Sequence, residues 1–206
     1  GRCTVAGTDS TADAATAAFL NATYNHGFEY DDAHSASDGH PGSAVVPSAL
    51  AAAEAAGASW GDALAGVVAG YEVYTRLGTM GSPDLIADCW HPAGVLAPFG
   101  AVAAAAVVED ADEATVRNAM GIATSHASGI TEYSSTGGSV KRAHPGIGAR
   151  NGLSALRMAD AGLTGPRRYL SGNKAFFQTF LDGKTVDPSE FERERFGPAL
   201  AHLAGR

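Results

Sequence analysis

Apolar residues recur along most of the chain at the three-and-four spacing of a helix that buries one face. Leu64, Val67, Val68, Tyr71, Tyr74 and Leu77 keep that spacing. Ser59 stands where a capping hydroxyl belongs, Asp62 lies in the first turn, and Gly78 supplies a stop. Before this helix, Pro47 opens an alanine-rich run over 48–56 that Gly57 closes. A third helix is predicted after Pro92-Ala93-Gly94, running to about Val108 through small, buried residues. Asp112 caps a fourth, with Val116, Ala119, Met120, Ile122 and Ala123 on one side. A fifth follows Pro145-Gly146 and ends at Gly162, and Phe176, Phe177, Phe180 and Leu181 form a short aromatic helix. No stretch sustains the alternation of a half-buried strand, so the pattern predicts an all-α, Ala/Gly-rich bundle. Its predicted extent is residues 1–181. Residues 182–206 are charge-dense, contain Pro188, and read as an extension or the start of a link to another domain.

Composition narrows this picture. A chain of 206 residues fits one domain and can bury a proper core. With 45% hydrophobic and 17% charged residues it is a globular chain and not a disordered one. Its 26 glycines in 206 residues far exceed the roughly 7% of an average protein, so helices can approach closely. A formal charge of -8 argues against nucleic acid as a partner, while leaving room for a local basic pocket. Cys3 and Cys89 make neither a disulfide framework nor a zinc site, and suit a reducing cytoplasm. The longest apolar stretch, 95–108, contains Pro98 and is too short to span a bilayer. No signal pattern opens the chain and no Met starts it, as expected of a cut or processed end or a subunit of something larger.

Candidate chemistry lies in four polar segments. They are 25–34 followed by His40-Pro41-Gly42, then Trp90-His91-Pro92-Ala93-Gly94, then Ser125-His126-Ala127-Ser128-Gly129, and finally 137–146 with Ser139, Lys141, Arg142 and His144. In three of them a histidine precedes a proline that opens a small-residue helix. Helix starts present free N–H groups and a positive dipole end to carboxylates. If three converge they form an anion pocket, to which Lys141 and Arg142 add full charges, while histidines move protons near neutral pH. A single such motif is more often a cap. His26 and His126 read equally as bonded histidines in helix contacts or as supports of the site. Glu29, Asp31 and Asp32 read as a solvated acidic turn or, together with His34 and with no standard spacing, as a minor metal-binding alternative. No P-loop, nucleophile elbow or His-Glu-x-x-His is present, and Gly146-x-Gly148 follows no strand. Neither a cofactor nor a metal is expected.

These pieces together resemble the MmgE/PrpD family, whose members include 2-methylcitrate dehydratase, cis-aconitate decarboxylase and iminodisuccinate epimerase. The matching segments are 21–32 (NATYNHGFEYDD), His40-Pro41 with the helix after it, Ala69-Gly70-Tyr71-Glu72-Val73 with Arg76-Leu77-Gly78, His91-Pro92, 121–129, 138–146, Gly165-Pro166 and Phe176-Phe177. The resemblance implies a helical domain that carries much of an active site, a homodimer, and a following α/β lid domain that this chain lacks. It places the family's acidic position on Glu29, its histidines on His40 and His91, and its loop lysine on Lys141. Glu29 replaces the usual Asp, and Ala33 the usual Thr. The expected function is cofactor-independent lyase chemistry, dehydration or decarboxylation, on a small polycarboxylate. His40, His91 and Lys141 would be catalytic. Glu29, Ser139, Arg142 and His144 would bind substrate, with His26, Asp32, His34 and His126 behind them. An epimerase is one alternative. The other is a non-catalytic subunit that docks a lid-carrying partner through exposed apolar surface, including residues 176–180.

Overall fold

Asp13 starts the first helix by accepting the Thr16 N–H at 3.1 Å, and α1 (Ala14–His26) follows. The protein is described by a computed structural model covering residues 2–182 and the backbone of Leu203–Ala204. The residue pattern did not predict α1, because its buried face is Ala17, Ala18 and Ala22, which make no stripe among so many alanines. Ahead of α1 lies a small antiparallel hairpin of β1 (Cys3–Thr4) and β2 (Thr11–Ala12). After it, β3 (Ala33–His34) pairs antiparallel with β4 (Leu203–Ala204).

The predicted helix opening at Pro47 begins earlier, at Pro41: α2 spans Pro41–Ala56 and carries Pro47 inside it. The start is fixed by Pro41 in the first turn and by the Asp32 carboxylate, which accepts the Gly42 N–H at 3.0 Å. Gly57 closes α2 at φ 66°, as predicted. The Ser59–Asp62 capping box opens α3 (Trp60–Gly81). This helix runs past Gly78, because Gly78 answers to packing and not to a turn: a Cβ there would lie 2.3 Å from Ser37 Cβ. The helix predicted after Gly94 instead starts at Pro92 and is broken at Leu96 into α5 (Pro92–Val95) and α6 (Ala97–Val108), after the single turn α4 (Asp84–Ala87). Asp112 caps α7 (Glu113–Thr124) by accepting from Thr115 N–H at 2.7 Å. The turn α8 (Tyr133–Thr136) and a 3-10 turn over Ser139–Ala143 lead into α9 (His144–Asp160), and α10 (Phe176–Phe180) follows.

Helix α6 is the axis of the bundle. Every one of its residues except Val107 is buried, and α2, α3, α7 and α9 pack around it. Alanine and glycine let the helices come this close. A Cβ on Gly70 of α3 would meet Val45 Cγ1 at 2.5 Å and the Gly100 carbonyl oxygen at 2.8 Å. The all-α reading therefore stands, with only two-residue strands beside the helices among the described residues. Among the described residues no helix is long and apolar enough to cross a membrane. One expectation is overturned. Phe176, Phe177 and Phe180 are buried, with Phe176 edge-on to Phe99 and Phe180 edge-on to Trp90, so α10 is part of the core and not a docking surface. The charged stretch beyond 182 falls outside the described residues, apart from the backbone of β4.

Candidate active site

The starts of α2, α5 and α9 meet the C-terminal end of α1, and each end brings a histidine. His26 is the last residue of α1, His40 and His91 are the N-caps of α2 and α5, and His144 is the first residue of α9. Their rings form a chain: His26–His40 centroids are 4.9 Å apart, His26–His91 6.1 Å and His91–His144 5.1 Å. His26, His91 and His144 are buried, and His40 is mostly so. A short bridge fixes His91, whose N–H donates to the Gly129 carbonyl at 2.9 Å while Thr131 N–H reaches back to Cys89 at 2.9 Å.

Asp31 joins two of these rings. Its Oδ2 lies 2.7 Å from His26 Nδ1 and 3.5 Å from His40 Nδ1. His40 Nδ1 is also 3.0 Å from the Asp32 carbonyl oxygen. A carbonyl only accepts, so the proton of neutral His40 sits on Nδ1 and its basic lone pair on Nε2. Asp31 Oδ1 and His26 Nε2 are buried with no protein partner among the described residues. The donor atoms of His26, Asp31 and His40 all lie within 4.8 Å of one another, close enough to surround a cation. The acidic-turn grouping of the sequence does not form that set: Glu29 goes to Lys141, and His34 Nδ1 bonds Ser37 Oγ at 2.8 Å.

His91 and His144 share one contact, Nδ1 to Nδ1 at 2.9 Å. Burial lowers the pKa of His91 to about 3, and the positive charge that His144, His26, Lys141 and His40 can carry pushes in the same direction. His144 is lowered by burial and then by His26. Both rings are therefore neutral at pH 7. Lys141 is ion-paired with Glu29, and that hydrogen bond holds the Glu29 carboxyl below the usual carboxylate range. Glu29 reaches it from a left-handed backbone, φ 56°, which non-glycine residues seldom adopt.

The supporting residues are placed unevenly. Asp32 caps α2 and hydrogen-bonds the Tyr71 hydroxyl, and burial raises its pKa. His34 braces the turn that leads to His40. Ser139 and Arg142 are exposed on the turn before α9. His126 is tied to α9, its carbonyl accepting from Asn151 Nδ2 at 3.1 Å, and no described contact brings it to the other four histidines. Sequence reasoning missed Tyr133, whose ring stands edge-on to His91 and His144 at 5.3 and 5.8 Å, and it saw Asp31 as one member of an acidic turn or of a metal set with Glu29, Asp32 and His34, not as the partner of His26 and His40. A single tyrosine in a polar loop carries no spacing signal that could have found it. A separate cleft of about 630 Å³, lined by Arg2, Cys3, Asp13, Leu153 and Arg157 among others, shares no residue with this cluster.

An all-helical domain with these histidine-proline helix starts and a loop lysine has a counterpart among known proteins: the MmgE/PrpD N-terminal domain matches residues 1–189. The chain belongs to the MmgE/PrpD family. A cis-aconitate decarboxylase-like protein of Aspergillus oryzae is 31% identical to it, over 97% of this chain and 43% of its own. Cis-aconitate decarboxylase of Aspergillus terreus is 30% identical over 94% of this chain and 41% of its own. The Homo sapiens cis-aconitate decarboxylase is 32% identical over 80% of this chain and 35% of its own. The MmgE/PrpD chain described here thus spans less than half the length of the curated relatives it matches.

Proposed function

We propose that this chain is the helical part of an MmgE/PrpD lyase that decarboxylates a small polycarboxylate of the cis-aconitate type, using its own side chains and no cofactor. The observation that carries the reading is the meeting of His26, His40, His91 and His144 beside the Lys141–Glu29 pair. The names of the relatives support the reaction class.

A decarboxylation breaks a carbon–carbon bond, releases carbon dioxide, and leaves an electron pair that a proton must quench. An acid with further carboxylates needs cations and N–H donors to hold it. The Lys141 ammonium has three N–H donors, and Glu29 occupies one direction of approach. The start of α9 adds a positive dipole end, whereas that of α2 is already answered by the Asp32 carboxylate. His40 keeps its proton on Nδ1, braced by Asp31 and the Asp32 carbonyl, so Nε2 is its proton-exchanging atom. His91 is held neutral by burial and by the positive groups around it. An arriving polyanion offsets the burial and positive surroundings that depress its pKa, so substrate binding itself favours the protonated, proton-delivering form. The domain proposed for this role spans residues 1–181, and the family match covers residues 1–189.

The test uses the protein completed by whatever chain or segment supplies the rest of the relatives' length. Carbon dioxide release from cis-aconitate is expected for the wild type. His91→Ala and Lys141→Ala are expected to lower it on the order of 10²-fold or more with an unchanged circular dichroism spectrum. Wild-type turnover in both variants would sink the assignment of roles. Water loss from a hydroxy-tricarboxylate without carbon dioxide release would replace decarboxylation by dehydration.

A further inference from the structure

Gly129 positions both members of the His91–His144 pair. Its carbonyl accepts the His91 N–H at 2.9 Å. Its Cα, at φ 111°, faces the other ring: a Cβ there would stand 3.2 Å from His144 Nδ1 and 3.4 Å from its Cγ. Gly94 borders the same side chain, since its Cβ would lie 3.3 Å from His144 Cβ and 2.4 Å from the Ser128 carbonyl oxygen. Two residues without side chains thus open a slot for the His144 ring, which turns Nδ1 toward His91 Nδ1 at 2.9 Å. At that separation the two nitrogens hold one proton between them, because two lone pairs or two N–H groups would repel. The groups facing the pair are His26 at the end of α1, His40 at the start of α2, Tyr133 of α8 and Lys141 of the turn before α9.

We propose that His144 is a positioning residue for His91: its Nδ1 lone pair accepts the His91 Nδ1–H and so holds His91 in the tautomer whose basic lone pair is on Nε2. The inference rests on the reading of His91 as the proton-exchanging group, and it gives His144 a different task from the carboxylate-holding one suggested by its place at a helix start. When His91 Nε2 gains a proton, the new charge is shared through the Nδ1–H bond to His144. When Nε2 gives the proton up, the pair returns to its neutral form with the Nδ1–H unchanged. The arrangement follows the general logic in which a third group orients a base through its other nitrogen.

The experiment is two-bond ¹H–¹⁵N correlation spectroscopy of the full chain, labelled in its imidazoles, at pH 7.5. The expected wild-type pattern for His91 is the Nδ1–H tautomer. His144→Leu is expected to return His91 to the Nε2–H form usual for histidine, and His144→Asn, whose amide oxygen can accept from Nδ1–H, to retain the wild-type form. In the completed protein with cis-aconitate as probe, His144→Leu should lower kcat about tenfold or more with KM changed less than about twofold, and His144→Asn should recover most of the loss. A His91 found as Nε2–H in the wild type, or a tautomer unmoved by His144→Leu, overturns the proposal. So does a His144→Leu variant with raised KM and unchanged kcat, the signature of a residue that only holds substrate. If His144→Leu does not fold, the wild-type and His144→Asn spectra decide. The expected tautomers in a protein that turns over no acid support the pairing and overturn the functional reading.

Discussion

Asp31 touches two of the four clustered histidines and is buried beside them, so its charge bears on both. Replacing it by Asn keeps the shape and removes the charge. Asp31→Asn is expected to cost about 1–3 kcal/mol of stability through the weakened bond to buried His26. It is also expected to lower turnover about tenfold by loosening His40. Denaturant midpoints and kcat on the same preparation check both, and an unchanged midpoint would show that His26 finds another partner. His40, His91 and Lys141 were legible in the sequence because proline fixes a histidine at a helix start and a glycine-rich loop marks the lysine. Asp31 was not, since nothing separates it from Asp32 until the chain folds: one then turns to the histidines and the other to the N-terminus of α2. Whether an exposed residue such as Arg142 meets a ligand is likewise not written in its neighbours along the chain.

At the scale of elements, the bundle depends on how closely α3 and α6 approach. Gly70→Ala is expected to destabilise the fold by about 1–3 kcal/mol, because the new methyl meets the Gly100 carbonyl and the Val45 side chain below contact distance. Urea unfolding with an unchanged slope and a lower midpoint would bear this out, and an unshifted midpoint would mean that the helices slide apart at no cost. The same crowding explains which helices could be read in advance. Ser59, Asp62 and Asp112 announced their helices by capping chemistry, and Leu64 to Leu77 gave α3 its period. α1 stayed hidden, because alanine fills its inner and outer faces alike, and the alanine-rich run of α2 was read from Pro47 although His40-Pro41 also marked a helix start. A stop signal at Gly78 was misleading for the converse reason: that glycine makes room for Ser37.

For the whole molecule, the buried histidines set a limit on acid tolerance. In the unfolded chain His91 takes up a proton near its ordinary pKa of 6.5, whereas in the fold it does so only at about 3. Between those values the unfolded state binds more protons, so stability rises with pH and falls on acidification, by up to about 1.4 kcal/mol per pH unit for each such group. His144, shifted the same way, adds to the slope. Urea midpoints at pH 7.5 and 5.5 are expected to drop with acidity, and to drop less in His91→Asn. An equal drop in that variant would mean that His91 is not the group being forced to charge. The fold also ties the end of α10 to the histidine cluster. Phe180, at the close of α10, rests its ring edge-on against Trp90, the immediate neighbour of His91. A displacement of that phenylalanine would therefore arrive one peptide unit from the imidazole proposed to exchange protons, a mechanical handle on the histidine cluster.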